Sequence, residues 1–413
     1  MITVREALQH ILNTVPLLGL EKTAITDARD RVLGEDVRAP RDIPPRTNSA
    51  MDGYALRAED ITGASAANPK ALTVTEDIPA GHPSDKAVGP GEAARIMTGA
   101  ALPEGADTMV KVEDTESDGS VVRIFAEAPL GEHVRYRGED VKAGEIVVPR
   151  GTLIRPAEIG MMASVGRSSV YVYRKPVVAI LATGDEIVDL DEDPEQGKII
   201  SSNTYSLYSQ VVECGGIPRN AGIAKDTRDD LLAHFRAALG ADIILSSGGV
   251  SVGDYDFVKD VMKEVGTGIE FWQVAQRPGK PLAFGKMGNT LVFGLPGNPV
   301  SSMITFEQYV RPAILKMTGH RNIFRRTVTA VLTEDVEKKK GLRYFFRARV
   351  TYADGEYRAA TTGEQGSGIL KSMVLANGIM VIPEEVTALK AGDRVIVQLL
   401  DNSLFCDAEP SYL

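Results

Sequence analysis

The chain has 413 residues, 43% of them apolar and 25% charged. That is an ordinary globular composition, which excludes disorder, a collagen-like fibre and a disulfide scaffold. With 46 basic against 56 acidic residues the formal charge is −10. A general nucleic-acid binder, which carries a basic field, is thereby disfavoured, whereas an anionic small ligand needs only a local positive pocket.

In chain order, the first predicted element is a helix. Thr3 and Glu6 have capping-box spacing, and Val4, Leu8, Ile11, Leu12 and Val15 line one face. Residues 1–45 read as helical, up to the turns at Ala39-Pro40 and Pro44-Pro45. Residues 46–145 are short apolar runs such as Leu72–Val74, Ala94–Met97, Thr108–Val112 and Val121–Phe125, broken by Gly, Pro and Asp. This predicts a small β-rich domain. A second helix is expected within 146–170, with Pro156 in its first turn and Gly166 near its end.

From about 171 to 320 the rhythm changes. Strands at Val177–Ala182, Ile217–Ala224, Asp242–Ser246, Ile269–Val274 and Thr290–Leu295 are separated by helices near Asn203–Cys214, Thr227–Leu239, Asp256–Val265 and Val300–Met317. Such alternation predicts a doubly wound parallel sheet. Residues 321–413 are strand-rich again, with a hairpin signal at Asp354-Gly355 and a closing strand at Arg394–Leu400. A small barrel is expected there. The fold class is therefore multidomain α/β, with a central doubly wound parallel-sheet domain, a small β domain upstream and a C-terminal β-barrel.

No apolar run approaches the roughly 18 residues that span a bilayer, and Glu6 and His10 interrupt any leader-like stretch. Cys214 and Cys406 are too few and too distant for a zinc site or a disulfide framework, so a cytoplasmic location is expected. The histidines His10, His82, His133, His234 and His320 show no ligand spacing. Any metal should therefore be a hard ion held by oxygen.

Ligands of open α/β sheets bind beyond the carboxyl ends of the strands. Three loops fall there: Thr183-Gly184-Asp185-Glu186; Ser246–Asp256, with Ser247, Gly248, Gly249, Ser251 and Gly253; and Leu295–Ser301, with Pro296, Gly297, Asn298 and Pro299. Glycines allow close backbone approach, and helix N-termini offer free N–H groups to anions. Each loop alone could be a tight turn; three together predict an anion cradle. No Walker A or G-x-G-x-x-G pattern occurs. Glu186, Asp226 and Asp256 fall at the same sheet edge, which suits Mg²⁺ between carboxylate and phosphate; Asp226 and Asp256 also read as cap or turn residues, and for Asp226 the two readings weigh the same. The proline-stiffened run Gln276–Pro281 offers Arg277 and Lys280 as an anion clamp.

Asn48–Ala55, Met97–Ala100, Arg137–Asp140, Thr183–Glu186, Ser247–Asp256, Pro278–Pro281 and Leu295–Val300 together resemble the signature segments of the molybdopterin molybdotransferases, the MoeA type and the E domain of gephyrin. The resemblance runs in order from about residue 3 to residue 400. It implies an elongated homodimer of four-domain protomers: residues 1–45 plus 146–170, an elongated linker and dimer domain; a small β-rich domain at 46–145; a molybdopterin-binding domain at 171–320; and the barrel at 321–413. It implies Mg²⁺-dependent insertion of molybdate into adenylylated molybdopterin with release of AMP. The site would lie between the molybdopterin-binding domain of one subunit and the barrel of the other.

By the same resemblance Asp52, Asp140, Glu186, Asp226, Asp256 and Lys280 match catalytic positions, with Glu186, Asp226 and Asp256 as metal ligands. Thr98, Thr183, Gly184, Arg347 and Ser367 join the loop residues as substrate contacts. Arg277 stands where Lys is also common. The molybdopterin adenylyltransferase and downstream molybdoenzymes are further partners that the family implies. Related proteins supply two rival readings: a molybdopterin adenylyltransferase, which would consume ATP, and a gephyrin-like scaffold without turnover.

Overall fold

The structure is a computed structural model, which describes residues 1–194, 197–249 and 257–405. The chain divides into two compact units. One comprises residues 1–22, 30–34 and 171–413; the other comprises 23–29 and 35–170.

Helix α1, Val4–Thr14, belongs to the first unit. Its capping box is formed as the sequence predicts: the Thr3 side chain accepts from the Glu6 N–H, and Glu6 accepts from the Thr3 N–H at 2.7 Å. The expectation of a helical 1–45 fails beyond this element. Past Val15 the apolar spacing lapses and Pro16, Gly19 and Pro40 interrupt, so residues 16–45 form short strand segments and a single 3₁₀ turn at Ile25–Asp27.

The second unit holds a six-stranded sheet. Its strands are β1 (Gly53–Leu56), β2 (Lys70–Ile78), β3 (Glu92–Ile96), β4 (Thr108–Lys111), β5 (Thr115–Ser117) and β6 (Val121–Ile124), in the order β4-β1-β3-β2-β6-β5. Alternation along β1 sends Tyr54 and Leu56 to one apolar cluster and Ala55 to another, so the sheet is covered on both faces. Helix α2, Pro156–Ser164, starts at the expected proline; Gly166 comes just after its end at φ +77°.

The first unit is built on a sheet of β7 (Val177–Thr183), β8 (Ile217–Ala224), β9 (Ile243–Ser247), β10 (Gly268–Gln273), β11 (Pro281–Met287) and β12 (Thr290–Leu295), ordered β8-β7-β9-β12-β11-β10. β7, β8, β9 and β12 are parallel, whereas β11 runs antiparallel to both of its neighbours. The doubly wound expectation holds, with one antiparallel strand in the sheet directly after the clamp loop. No strand is predicted at Pro281–Met287, whose proline and glycine weaken the signal. Gly285 is required there because a Cβ would stand 2.6 Å from the Gly268 carbonyl oxygen.

Helices α3 (Ser202–Glu213), α4 (Arg228–Ala237) and α5 (Phe257–Glu264) connect the strands. Period-two alternation along β7 sends Val178 and Ile180 to a core shared with α1 and α3, and Ala179 and Leu181 to a core shared with α4 and α5. The last helix is not uniform. α6 (Pro299–Thr305) passes through a π turn at Phe306–Val310 into α7 (Arg311–Met317), and the Arg311 N–H bonds the Phe306 carbonyl five residues back. Pro312, which has no N–H, removes one α-type bond just beyond it.

The unit ends in a closed barrel of β13 (Thr327–Leu332), β14 (Arg343–Ala353), β15 (Glu356–Thr361), β16 (Gly378–Ile382) and β17 (Arg394–Leu399). Closure runs β14-β15-β13-β17-β16 and back to β14. The predicted hairpin turn is Asp354-Gly355, both at positive φ (53° and 78°), as a two-residue primed turn demands. Gln276-Arg277 adds in parallel to Arg343-Tyr344, tying the α/β sheet's clamp loop to the barrel.

Candidate active site

The chain order of the sheet reverses beside β7, whose two neighbours are β8 and β9. A cleft of about 450 Å³ opens at the carboxyl ends of these strands, where such sheets bind ligands. In the strand register Ala182 faces Ser247, and Ser247 faces Leu295, so the three predicted loops leave the sheet side by side. Thr183, Glu186, Asp226, Ser247, Gly248, Gly249, Pro296, Gly297, Asn298 and Pro299 all line the cleft.

The glycines have specific reasons. Gly248 has φ +102°, and a Cβ there would stand 2.6 Å from the Thr183 carbonyl oxygen and 2.8 Å from its hydroxyl. Gly184 has φ +143°; a Cβ would stand 2.6 Å from a Glu186 carboxylate oxygen, so that carboxylate lies over the glycine. The Gly184 N–H is used within the fold, donating to the Ala224 carbonyl at 3.2 Å. The Val300 N–H, at the helix start that the sequence offers to an anion cradle, already donates to the Ser367 carbonyl at 3.1 Å.

Electrostatics concentrate on the acids. Burial, then the charges of Glu186 and Asp185, pushes the Asp226 carboxyl above its ordinary range; the Asp226 N–H donates to an Asp185 carboxylate oxygen at 3.2 Å. Two carboxylates lining one cleft with mutual repulsion form a hard oxygen donor set. Among the described residues no three His, Cys, Asp or Glu side chains converge on one point. Mg²⁺ keeps several waters and takes one or two carboxylates plus substrate phosphate, so Glu186 and Asp226 suit it. Asp256, Ser251 and Gly253 lie outside the described residues.

The clamp residues separate. Arg277 lies 5.8 Å over the Tyr344 ring, in a second groove of about 730 Å³ with Lys338, Lys339 and Gly366. It stands there because Gln276-Arg277 pairs with the barrel strand β14. Lys280 is exposed, and its neighbour Pro281 lines the cleft. Arg277 therefore lies in the barrel groove, which Lys280 does not line.

Arg347 is fully buried; its Nε donates to Ser372 Oγ at 3.0 Å, its Nη2 to the Gly366 carbonyl at 3.1 Å, and Nη1 has no partner among the described residues. Burial lowers this guanidinium to about 10. Ser367 meets the third loop within its own chain, through the Val300 contact.

In the other unit, Asp52 accepts from both the N–H and the hydroxyl of Thr98 at 2.7 Å, and these bonds hold its carboxyl below the usual range. Asp140 is exposed, with its N–H on the Ile43 carbonyl at 3.1 Å.

Sequence reasoning missed Asn203. Its amide donates to Ser247 Oγ at 2.9 Å and to the Gly297 carbonyl at 2.8 Å, bridging the second and third loops. Its Oδ1 and the Thr183 hydroxyl are buried without a partner among the described residues, and both residues line the cleft. The signal was the run Ser201-Ser202-Asn203-Thr204, polar cap-type residues entering α3 just after a strand end.

Three family descriptions match the chain: "MoeA N-terminal region (domain I and II)" over residues 2–166, "Probable molybdopterin binding domain" over 179–316, and "MoeA C-terminal region (domain IV)" over 329–400. The chain belongs to the MoeA family. A Mycobacterium tuberculosis relative named molybdopterin molybdenumtransferase 2 is 38% identical over 383 residues, covering 90% of this chain and 93% of that protein. A Bacillus subtilis molybdopterin molybdenumtransferase is 34% identical over 404 residues, covering 97% and 94%. The crystal structure of a molybdopterin biosynthesis MoeA protein from Pyrococcus horikosii superposes with TM-score 0.84 at 32% identity, covering 97% of this chain and 99% of the other. The superposition agrees with the multidomain α/β architecture.

Proposed function

We propose that the cleft at the ends of β7, β9 and β12 binds adenylylated molybdopterin and inserts molybdenum from molybdate, releasing AMP. As a MoeA family member with relatives named molybdopterin molybdenumtransferase, the chain is a transferase of molybdenum cofactor biosynthesis. The observation that carries the finer reading is the composition of the cleft. Two carboxylates, Glu186 and Asp226, stand beside a glycine-lined floor and two atoms without a partner among the described residues, the Thr183 hydroxyl and Asn203 Oδ1.

Each part has a chemical use. The polar floor orients the pterin nucleotide through its hydrogen-bonding edge and phosphates. Glu186 and Asp226 would hold Mg²⁺, which supplies neutralisation of the charge that develops as the phosphoanhydride opens. Lys280 draws the molybdate dianion, a tetrahedral oxyanion like phosphate, to the mouth of the cleft. The anhydride P–O bond breaks, AMP leaves, and the new bond to phosphorus comes from a water or a molybdate oxygen. Asp52, Thr98 and Asp140 are assigned to the reaction through the family resemblance, which also implies a homodimer, and the sparse cysteines support a cytoplasmic setting.

The test is AMP release from adenylylated molybdopterin with molybdate and Mg²⁺ and without ATP. Release should require both ions and should be abolished by Glu186→Ala while the circular dichroism of that variant matches wild type. An ATP requirement would mark adenylyl transfer, and pterin binding without turnover a scaffold; either refutes the proposal. An unchanged rate in Glu186→Ala refutes the role of Glu186.

A further inference from the structure

We propose that Gln276 and Tyr309 are positioning residues that lock the Arg277–Lys280 loop and thereby set the affinity for the oxyanion substrate. The inference rests on the reading of the cleft as the site of molybdate insertion.

Gln276 and Tyr309 are both fully buried, so neither touches a ligand. The Gln276 amide nitrogen donates to the carbonyls of Pro278 at 3.2 Å and Gly279 at 3.1 Å, crossing beneath its own loop. The other end of that amide, Oε1, accepts from the Tyr309 hydroxyl. The two loop carbonyls can only accept, so the NH₂ end must face them and the oxygen end is left to accept from the phenol. Burial pushes the Tyr309 phenol upward, which keeps it a donor at any working pH.

The loop is pinned from its other sides as well. Gly279, at φ +87°, has no room for a Cβ, which would collide with Thr305 Oγ1 of α6 and approach Gln276 Nε2 at 2.8 Å. The Val274 N–H closes the loop on the Lys280 carbonyl at 3.0 Å. With the carbonyls of Pro278 and Gly279 turned inward, the exposed side chains of Arg277 and Lys280 are what the loop offers to solvent. Arg277 faces the groove with Lys338 and Tyr344, and Lys280 is followed by Pro281 at the cleft. Cations fixed before binding lose less freedom when an anion arrives, so a locked loop binds more tightly than a loose one.

The π turn explains how Tyr309 reaches its target. Glu307, Gln308 and Tyr309 are consecutive and all buried, each with a different partner: Arg325 for Glu307, Gln398 of β17 for Gln308, and Gln276 for Tyr309. The wider turn lets three neighbouring side chains engage the barrel junction, the barrel wall and the clamp loop together. π turns recur at functional sites.

The test uses the full chain with Tyr309→Phe, Gln276→Leu and the double variant. Steady-state KM is measured separately for molybdate and for adenylylated molybdopterin, and tungstate binding is measured by equilibrium dialysis. In both single variants the molybdate KM and tungstate Kd should rise about tenfold, the effect of weakening one buried hydrogen-bonded device. The pterin KM, and kcat at saturating molybdate, should stay within about twofold of wild type. The double variant should be no worse than Gln276→Leu, because both residues act on one device. Tyr309→Phe keeps the buried ring, so it carries the test if Gln276→Leu does not fold. Normal wild-type turnover with an unaltered molybdate KM in the variants overturns this inference alone, as does a parallel rise of both KM values. A wild-type chain without molybdate-dependent turnover overturns the reading of the cleft and this inference with it.

Discussion

Replacement of Glu307 by Ala should destabilise the first unit by about 3 kcal/mol, a magnitude set by a stranded buried charge. Glu307 sits in the π turn with a nearly buried side chain, and its carboxylate accepts two bonds from Arg325 at 3.0 and 3.2 Å and one from Gln210 at 3.1 Å. Arg311 Nε lies 3.9 Å away. Removing one partner of a buried ion pair costs about 3–5 kcal/mol, because the other charge is left unpaired. The lower end applies, since Arg325 keeps Glu213 at 2.7 Å and the Leu400 carbonyl at 2.8 Å. The assay is urea unfolding followed by fluorescence of Trp272, the only tryptophan, which packs against the α4–α5 face of the sheet. With a slope of about 1–3 kcal/mol per molar urea, the midpoint should fall by about 1–3 M. The Glu307→Ala/Arg325→Met double variant should recover part of the loss, because it removes the stranded cation. A midpoint shift of Glu307→Ala below about 0.3 M, or a double variant as unstable as the two single losses added together, would refute the argument that this pair is a buried, coupled unit.

Asp226→Asn should stabilise the protein while removing Mg²⁺-dependent turnover. Burial and the neighbouring acids raise the folded-state value of Asp226, so the folded chain holds this proton more firmly than the unfolded chain, and stability falls as pH rises from the ordinary aspartate value through the raised one. As pH rises above the ordinary aspartate value of about 4, the variant should lose less stability than wild type, read from urea midpoints; identical pH profiles would refute the assignment. Gly248→Ala should weaken binding of adenylylated molybdopterin at least about tenfold and cost about 1–3 kcal/mol of stability, because φ +102° and the Thr183 carbonyl leave a Cβ no room. Unaltered affinity in isothermal titration would show that the second loop does not form the floor.

Local chemistry made much of the fold legible. The Thr3–Glu6 box, the positive-φ glycine after α2 (Gly166 at 77°) and the Asp354-Gly355 turn each depend on residues within a few positions of one another. The strand ends that carry the three loops were equally readable, because apolar runs stop where the sheet stops. The strand Pro281–Met287 was not, since its pairing comes from β10 and β12, and its own proline and glycine argue for a loop.

The site divides along the same line. Glu186 and the glycines could be named because a strand end followed by glycine and acid has chemical meaning by itself. Asn203 and Gln276 could not, because a polar side chain becomes structural only once distant atoms surround it. Asn203 finds Ser247 at 44 and Gly297 at 94 positions away. Arg277 shows the converse: its charge was legible, but its direction comes from a two-residue pairing with Arg343-Tyr344 that no local pattern announces. One short loop thus places Arg277 at the groove beside the barrel and Lys280 next to the cleft-lining Pro281. Charge reversal at Arg277 and at Lys280 should therefore not be interchangeable, although the sequence presents them as a pair.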